Sequence, residues 1–326
     1  MRVVKSVSVE EFAFRGSIKD SDVARLKAAF QDDPDIHEGD ADTLLRLNRT
    51  CPIQGPSWSG FLVDVITDYL LKQSGSEGYI TAEKSDWLVS RLSTDGWVAN
   101  RAELDLLVAI LGRARWFPLS LATFALEQVA GAAIHGFGPL RLGHHGQSPG
   151  PGMIGEQDVA LLRTILNAFA GDSALALTRA EVEILMSIDD AASGRPQPPA
   201  WVDLFVKAVS NVLLAEQGYA VPPRPVALRP RVSAGQPLPI AQQVAASLGF
   251  LTQDYYRPSA EERALARLER QRIEIVTGER LARDEAGWLT SRLGGEAPRS
   301  PLMAAVVAHL RREQLIDLPV RDGKAA

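Results

Sequence analysis

Trp87-Leu88-Val89-Ser90-Arg91-Leu92 and Trp288-Leu289-Thr290-Ser291-Arg292-Leu293 write the phrase Trp-Leu-x-Ser-Arg-Leu twice in one chain. Two further pairs run in the same order. Asp22-Val23-Ala24-x-Leu26 is echoed by Asp158-Val159-Ala160-x-Leu162, and Trp58-x-x-Phe61-Leu62-Val63 by Trp201-x-x-Leu204-Phe205-Val206. Phrases that recur in a fixed order mark a unit written twice, and such repetition bears on the whole architecture. The expected fold is all-α, two similar helical bundles in tandem.

Periodicity supports helices around these phrases. Phe61, Leu62, Val65, Ile66, Tyr69 and Leu70 recur at three- and four-residue spacing, which puts them on one helical face. Thr178-Arg179-Ala180-Glu181 has the spacing of a capping box, and Asn100-Arg101-Ala102-Glu103 and Ser259-Ala260-Glu261-Glu262 repeat it. Ser57 stands where it would cap the Trp58 helix. The most apolar stretch, Trp116 to Ile134, contains Pro118, Glu127 and Gln128, so it reads as a buried helix and not a membrane span.

These boundaries give an N-terminal arm at 1–19, whose valines favour a short strand. Repeat 1 covers 20–134, a Gly/Pro linker 135–155, repeat 2 156–317 and a tail 318–326. The copies differ in one place. Trp58 and Trp87 lie 29 residues apart but Trp201 and Trp288 87 apart, so about 58 residues are inserted at 220–277. The insertion opens with Val221-Pro-Pro-Arg-Pro-Val-Ala-Leu-Arg-Pro-Arg231, whose prolines favour extended backbone. Arg224, Arg229 and Arg231 give it positive charge, with Tyr255 and Tyr256 near its far end. These five residues are the candidates for binding a partner. Two readings stay open: an arm packed onto the body, for instance onto the acids at 32–42, or a free arm that docks a partner.

With 326 residues there is room for about two domains. A net charge of −5 and a pI near 5.7 disfavour nucleic acid, which needs a basic face. The one cysteine, Cys51, excludes an intrachain disulfide, suits a reducing compartment and reads as a small buried hydrophobe. Met1 to Lys5 leads into Glu10 and Glu11 with no apolar signal segment, so a cytoplasmic location is expected.

Chemistry-bearing patterns fall short of their requirements. The acidic turn from Asp32 to Asp42, with Asp33 and Asp35 as metal candidates, puts Glu38 at the glycine position of a calcium loop and Leu44 at its bidentate glutamate. His144 and His145 are the zinc candidates, but adjacent side chains diverge and no cysteine joins them. Gly150-Pro-Gly-Met-Ile-Gly155 spells G-x-G-x-x-G without the preceding strand that a dinucleotide fold requires. Gly55-Pro-Ser-Trp-Ser59 lacks the closing glycine of a nucleophile elbow. The four repeat tryptophans read as core anchors. No catalytic residue and no cofactor is assigned. The expectation is a non-enzymatic interaction protein, a scaffold or stress-associated adaptor with another protein as partner and self-association open. The alternative is a calcium- or zinc-responsive binding protein.

The Asp95-Gly96-x-Val98 turn, followed by an acid opening an apolar helix, resembles the tellurite-resistance-B family, whose helical domain carries an A-D-G-x-[IV]-x-x-x-E signature. Leu177 with Glu181 and Ile36 with Asp40 keep the spacing from apolar residue to acid; Val98 to Glu103 is one residue longer. The chain as a whole is similar to a group of alphaproteobacterial tandem-helical-repeat proteins that share the tryptophan helices and the Glu261–Arg270 helix. That similarity implies a cytoplasmic bacterial protein and no particular activity.

Overall fold

A computed structural model describes residues 3–5, 7–75, 77–141, 149–168, 177–230, 239–249, 255–256, 259–262, 264–265, 267–268 and 300–316. The described chain is mostly helical, and its strands are two-residue pairs. No helix among these residues is long and apolar enough to cross a membrane. The chain forms two compact units, Met1–Gln128 with Gly138–Leu142, and Val129–Phe137 with Gly143–Ala326. The division falls inside one helix.

Unit 1 opens on an antiparallel pair, β1 (Val3–Val4) with β2 (Val7–Ser8), as the valine-rich leader suggested. The leader also holds a helix, α1 (Glu10–Arg15), ended by Gly16 in the left-handed region at φ 67°. After β3 (Ser17–Ile18) come α2 (Asp20–Asp32), α3 (Glu38–Thr50), β4 (Ile53–Gln54) and α4 (Ser57–Asp68). The β3 and β4 strands pair in parallel, Ser17 with Ile53.

The central helix is α4. Its apolar stripe, Trp58, Phe61, Leu62 and Ile66, is buried, and α2, α3 and α6 pack around it. At its end α4 loosens into a π-turn, Tyr69–Gln73, where Ser74 N–H bonds back to Tyr69 O. That turn aims the Gln73 amide at the 32–42 turn, where it donates to Pro34 O at 3.0 Å and accepts from Ile36 N–H.

Then follow α5 (Ala82–Leu92), β5 (Ser93–Thr94), β6 (Trp97–Val98), α6 (Arg101–Arg113) and α7 (Leu119–His135). Asp95 and Gly96 both take positive φ, 55° and 86°, the backbone of a two-residue hairpin turn. Gln128 of α7 pins that hairpin, accepting from Val98 N–H at 3.0 Å and donating to Gly96 O at 3.1 Å. The apolar run at 116–134 is therefore a buried helix, α7, as expected.

Unit 2 contains α8 (Glu156–Ala168), α9 (Arg179–Ala192), α10 (Pro199–Glu216), the single turn α11 (Arg224–Ala227), α12 (Ile240–Leu248) and α13 (Pro301–Arg312). Here α10 is central, with α8, α9, α11, α12 and α13 against it. The Gly150–Gly155 stretch has a structural task. Gly152, at φ 67°, bonds its N–H to Ala133 O and Ile134 O, closing the end of α7. A Cβ there would come within 2.7 Å of Ala191 O. Glycine is required by that approach.

Candidate functional site

Two buried polar joints organise the units. In unit 1, Gln54 of β4 reaches back over the end of α3, donating from Nε2 to Asn48 O at 2.8 Å, Asn48 Oδ1 at 3.1 Å and Cys51 O at 3.0 Å. Asn48 Oδ1 also accepts the Trp58 indole N–H at 3.0 Å. The Asn48 amide nitrogen faces Asn100 Oδ1 and Glu103 Oε1. Glu103 is fully buried; it accepts from Ala99 N–H at 2.8 Å and from Arg49 Nε at 2.9 Å. One amide thus ties α3, β4, α4 and the start of α6 together, and its donors and acceptors are matched as a buried network demands.

Unit 2 builds a comparable joint from Asp189, Gln197 and Trp201. Gln197 Nε2 donates to Asp189 Oδ1 at 3.3 Å and to Ala192 O at 3.4 Å. Asp189, 2% exposed, also faces the Ser300 hydroxyl, and burial is the main cause that pushes its carboxyl above the usual range. The Trp201 indole N–H faces it at longer than hydrogen-bond range. Each tryptophan packs a phenylalanine of its own helix, three residues on in α4 and four residues on in α10. Trp58 and Phe61 lie 5.9 Å apart at 48°, Trp201 and Phe205 5.6 Å apart at 49°.

Along α10 runs a buried polar stripe, Asp203, Lys207, Ser210 and Asn211, at helical spacing. The first part of the predicted insertion lies over it. Lys207 Nζ donates to Arg229 O at 2.6 Å and pairs with Asp203 at 2.7 Å. Arg163 of α8 donates to Leu228 O and pairs with Asp203 at 3.3 Å; burial pushes its guanidinium below the usual range. Asn211 Nδ2 donates to the Tyr255 hydroxyl at 3.0 Å.

The predicted partner residues divide. Arg224 is 1% exposed and forks onto Glu181 at 2.7 and 2.9 Å, so it is a core contact and offers nothing to an outside partner. Its acid is Glu181, not the 32–42 turn. Tyr255 is buried as well, whereas Tyr256 is 56% exposed with its hydroxyl on Glu262, and Arg229 has an exposed side chain. Arg231 lies outside the described residues, as do His144 and His145.

The acidic turn is met from within by Lys5, whose Nζ lies 2.9 Å from Asp33 Oδ2 and 3.6 Å from Asp40 Oδ2 and donates to the Asp35 carbonyl. The Lys5 ammonium holds the Asp33 carboxyl below its ordinary range. Asp40 accepts from His37 N–H at 3.1 Å, capping α3. Among the described residues no three His, Cys, Asp or Glu side chains gather as a metal would need. Cys51 is fully buried and its thiol donates to Phe12 O at 3.4 Å. Ser57 does not cap α4. It donates its hydroxyl to Asp20 Oδ1 at 2.5 Å, and Asp20 also accepts Ser57 N–H, so a carboxylate from α2 closes the α4 start.

One surface feature escaped the sequence reading. Phe14 on α1 is 97% exposed and Ile53 on β4 70% exposed. Ile53 N–H bonds to the carbonyl of Gly16, two residues after Phe14, so β4 meets the chain just past the end of α1. Pro52, next to Ile53, is exposed too, as are Glu10 and Glu11 on the same helix as Phe14; Glu11 pairs with Arg15 at 3.5 Å. Nothing in local composition marks Phe14 as exposed, since Phe12, two residues earlier, is fully buried. Compared with protein-family models, curated proteins and solved structures, the chain matches none.

Proposed function

We propose that the chain is a protein-interaction scaffold of the adaptor kind, with the edge formed by Phe14, Pro52 and Ile53 as its docking surface. The observation that carries this reading is the exposure of both Phe14 and Ile53, with Ile53 hydrogen-bonded to the chain two residues after Phe14. Single exposed apolar residues are ordinary, but two large ones at one edge, with one almost wholly in solvent, are a recognised mark of contact surfaces. The partner is a protein with an apolar pocket for the Phe14 ring and basic groups on its rim, matching Glu10 and Glu11. Photo-cross-linking from position 14 tests the reading.

The scaffold reading includes a duplication, α2–α3–α4 with α8–α9–α10. Both opening helices place an aspartate third, and each reaches back to the residue before the helix: Asp22 to Lys19 N–H at 2.9 Å, Asp158 to Gly155 N–H at 2.8 Å. Asn48 and Asp189 are both the eleventh residue of their helices. The phrase Gln-x-Pro-x-Trp precedes both central helices, Gln54 to Trp58 and Gln197 to Trp201, and both glutamines bond the carbonyl three residues after the joint residue. Trp288, the mate of Trp87, lies outside the described residues.

A further inference from the structure

We propose that Asp189 is a proton-linked joint of unit 2: protonated, it holds the end of α9, the Gln197 segment and the start of α13 together, and ionised it loosens them. Asp189 sits on α9 where three segments converge, Gln197 from the chain leading into α10, Trp201 from α10 itself and Ser300 from the cap of α13. Ser300 is a working cap, its Oγ accepting Met303 N–H at 3.0 Å. The same hydroxyl faces the Asp189 carboxyl, so the state of the carboxyl is felt at the first turn of α13.

The charge environment is one-sided. Gln197, Trp201 and Ser300 are neutral, and the one charged group among the described residues that bears on Asp189 is Asp190, a like charge on the same helix. Among the described residues no cation pairs with it. The buried carboxylates Glu181, Glu103 and Asp203 are each paired with a cation: Glu181 has Arg224, Glu103 has Arg49, Asp203 has Lys207 and Arg163. An ionised carboxyl at 2% exposure with only neutral donors, one of them at 3.3 Å, carries a desolvation cost that those contacts offset in part.

Unit 1 shows the neutral solution at the corresponding place. Asn48 is an amide of the same shape with the same glutamine partner and a tryptophan N–H on its oxygen. There a carboxylate would stand 3.4 Å from Glu103 Oε1, so an amide is required.

The sign follows from the direction of the shift. Asp189 is held above the unfolded carboxyl range, about 3.9. Its contribution is fully present below that unfolded value and is lost as pH rises through the folded value. Unit 2 therefore loosens toward higher pH at this joint.

The test compares full-length wild type with Asp189→Asn, which keeps shape and removes the proton, by amide hydrogen exchange in α9 and α13 from pH 4 to pH 8. Comparison at equal pH cancels the intrinsic exchange rate. The expected result is equal protection near pH 4 and progressively greater protection of the variant as pH rises. Variant and wild type running parallel at every pH would overturn the proposal. Asp190→Asn provides a second reading that leaves the joint intact. It should keep the wild-type dependence of protection on pH, and loss of that dependence would assign the titration to Asp190 and overturn the proposal.

Discussion

Arg224 Nη1 lies 2.7 Å from Glu181 Oε1 with both side chains out of solvent, and this pair decides how the proline-rich segment sits on its unit. Glu181 already caps α9 by accepting Thr178 N–H at 2.7 Å. The arginine thus closes a site whose acid is fixed by local helix chemistry, while Arg163 and Lys207 hold the backbone carbonyls of Leu228 and Arg229. The described part of the segment is a packed strap.

Removing one member of a buried pair leaves the other charge uncompensated, at a cost of roughly 3–5 kcal/mol. Arg224→Leu should show that loss in denaturant unfolding. Adding Glu181→Gln to Arg224→Leu should recover part of it, whereas Glu181→Gln alone destabilises the wild type. An opposite sign in the double variant contradicts the assignment. Protease resistance gives a second check, using proteinase K. Trypsin does not report here, because Arg224 and Arg229 each precede a proline.

Cys51 reports on unit 1. It is fully buried, and burial pushes its thiol above the ordinary range. Thiolate is the reactive form, so alkylation should be slow in the native protein and should accelerate with unfolding of α3 and α4. Labelling at the rate of a free thiol in native buffer would show that unit 1 opens there.

Much of the fold was legible in the sequence because it rests on local rules. The capping box at Thr178, the Asn100 cap and the apolar stripe of α4 depend on residues within one or two turns of each other, although Glu103 accepts from Ala99 N–H and not from the cap residue. What escaped depends on distant partners. Ser57 has the composition of a cap, but the carboxylate that closes α4 comes from Asp20, 37 positions away. Gln54 and Gln197 lie outside helical periodicity, so their shared task shows only when the helix ends they bind are in view. Arg224 has the composition of a solvated arginine, and only the position of Glu181 makes it a core residue. Phe14 and Ile53 are brought together by the β3–β4 pairing, across a separation that local patterns do not span.

Lys5 separates the scaffold reading from the metal reading. Its hydrogen bond is the main cause of the lowered Asp33 carboxyl. Lys5→Met should return Asp33 toward its ordinary value in an NMR pH titration. The depressed value means that the contribution of Asp33 is present above its unfolded value and fades as pH falls through the folded one, so the variant loses it. With the ammonium in place, calorimetric titration of the wild type with calcium should give no saturable heat. Micromolar binding abolished by Asp33→Ala would reverse this.

The docking edge is tested most directly by placing a photo-cross-linking phenylalanine analogue at position 14 of the full chain in its native host, with exposed Arg312 as the control position. The account predicts one dominant adduct from position 14, absent from position 312, with a protein whose apolar pocket has a basic rim. Ile53→Glu should abolish that adduct and leave the helical content unchanged. Adducts that are identical from both positions, or that survive Ile53→Glu, would contradict the account.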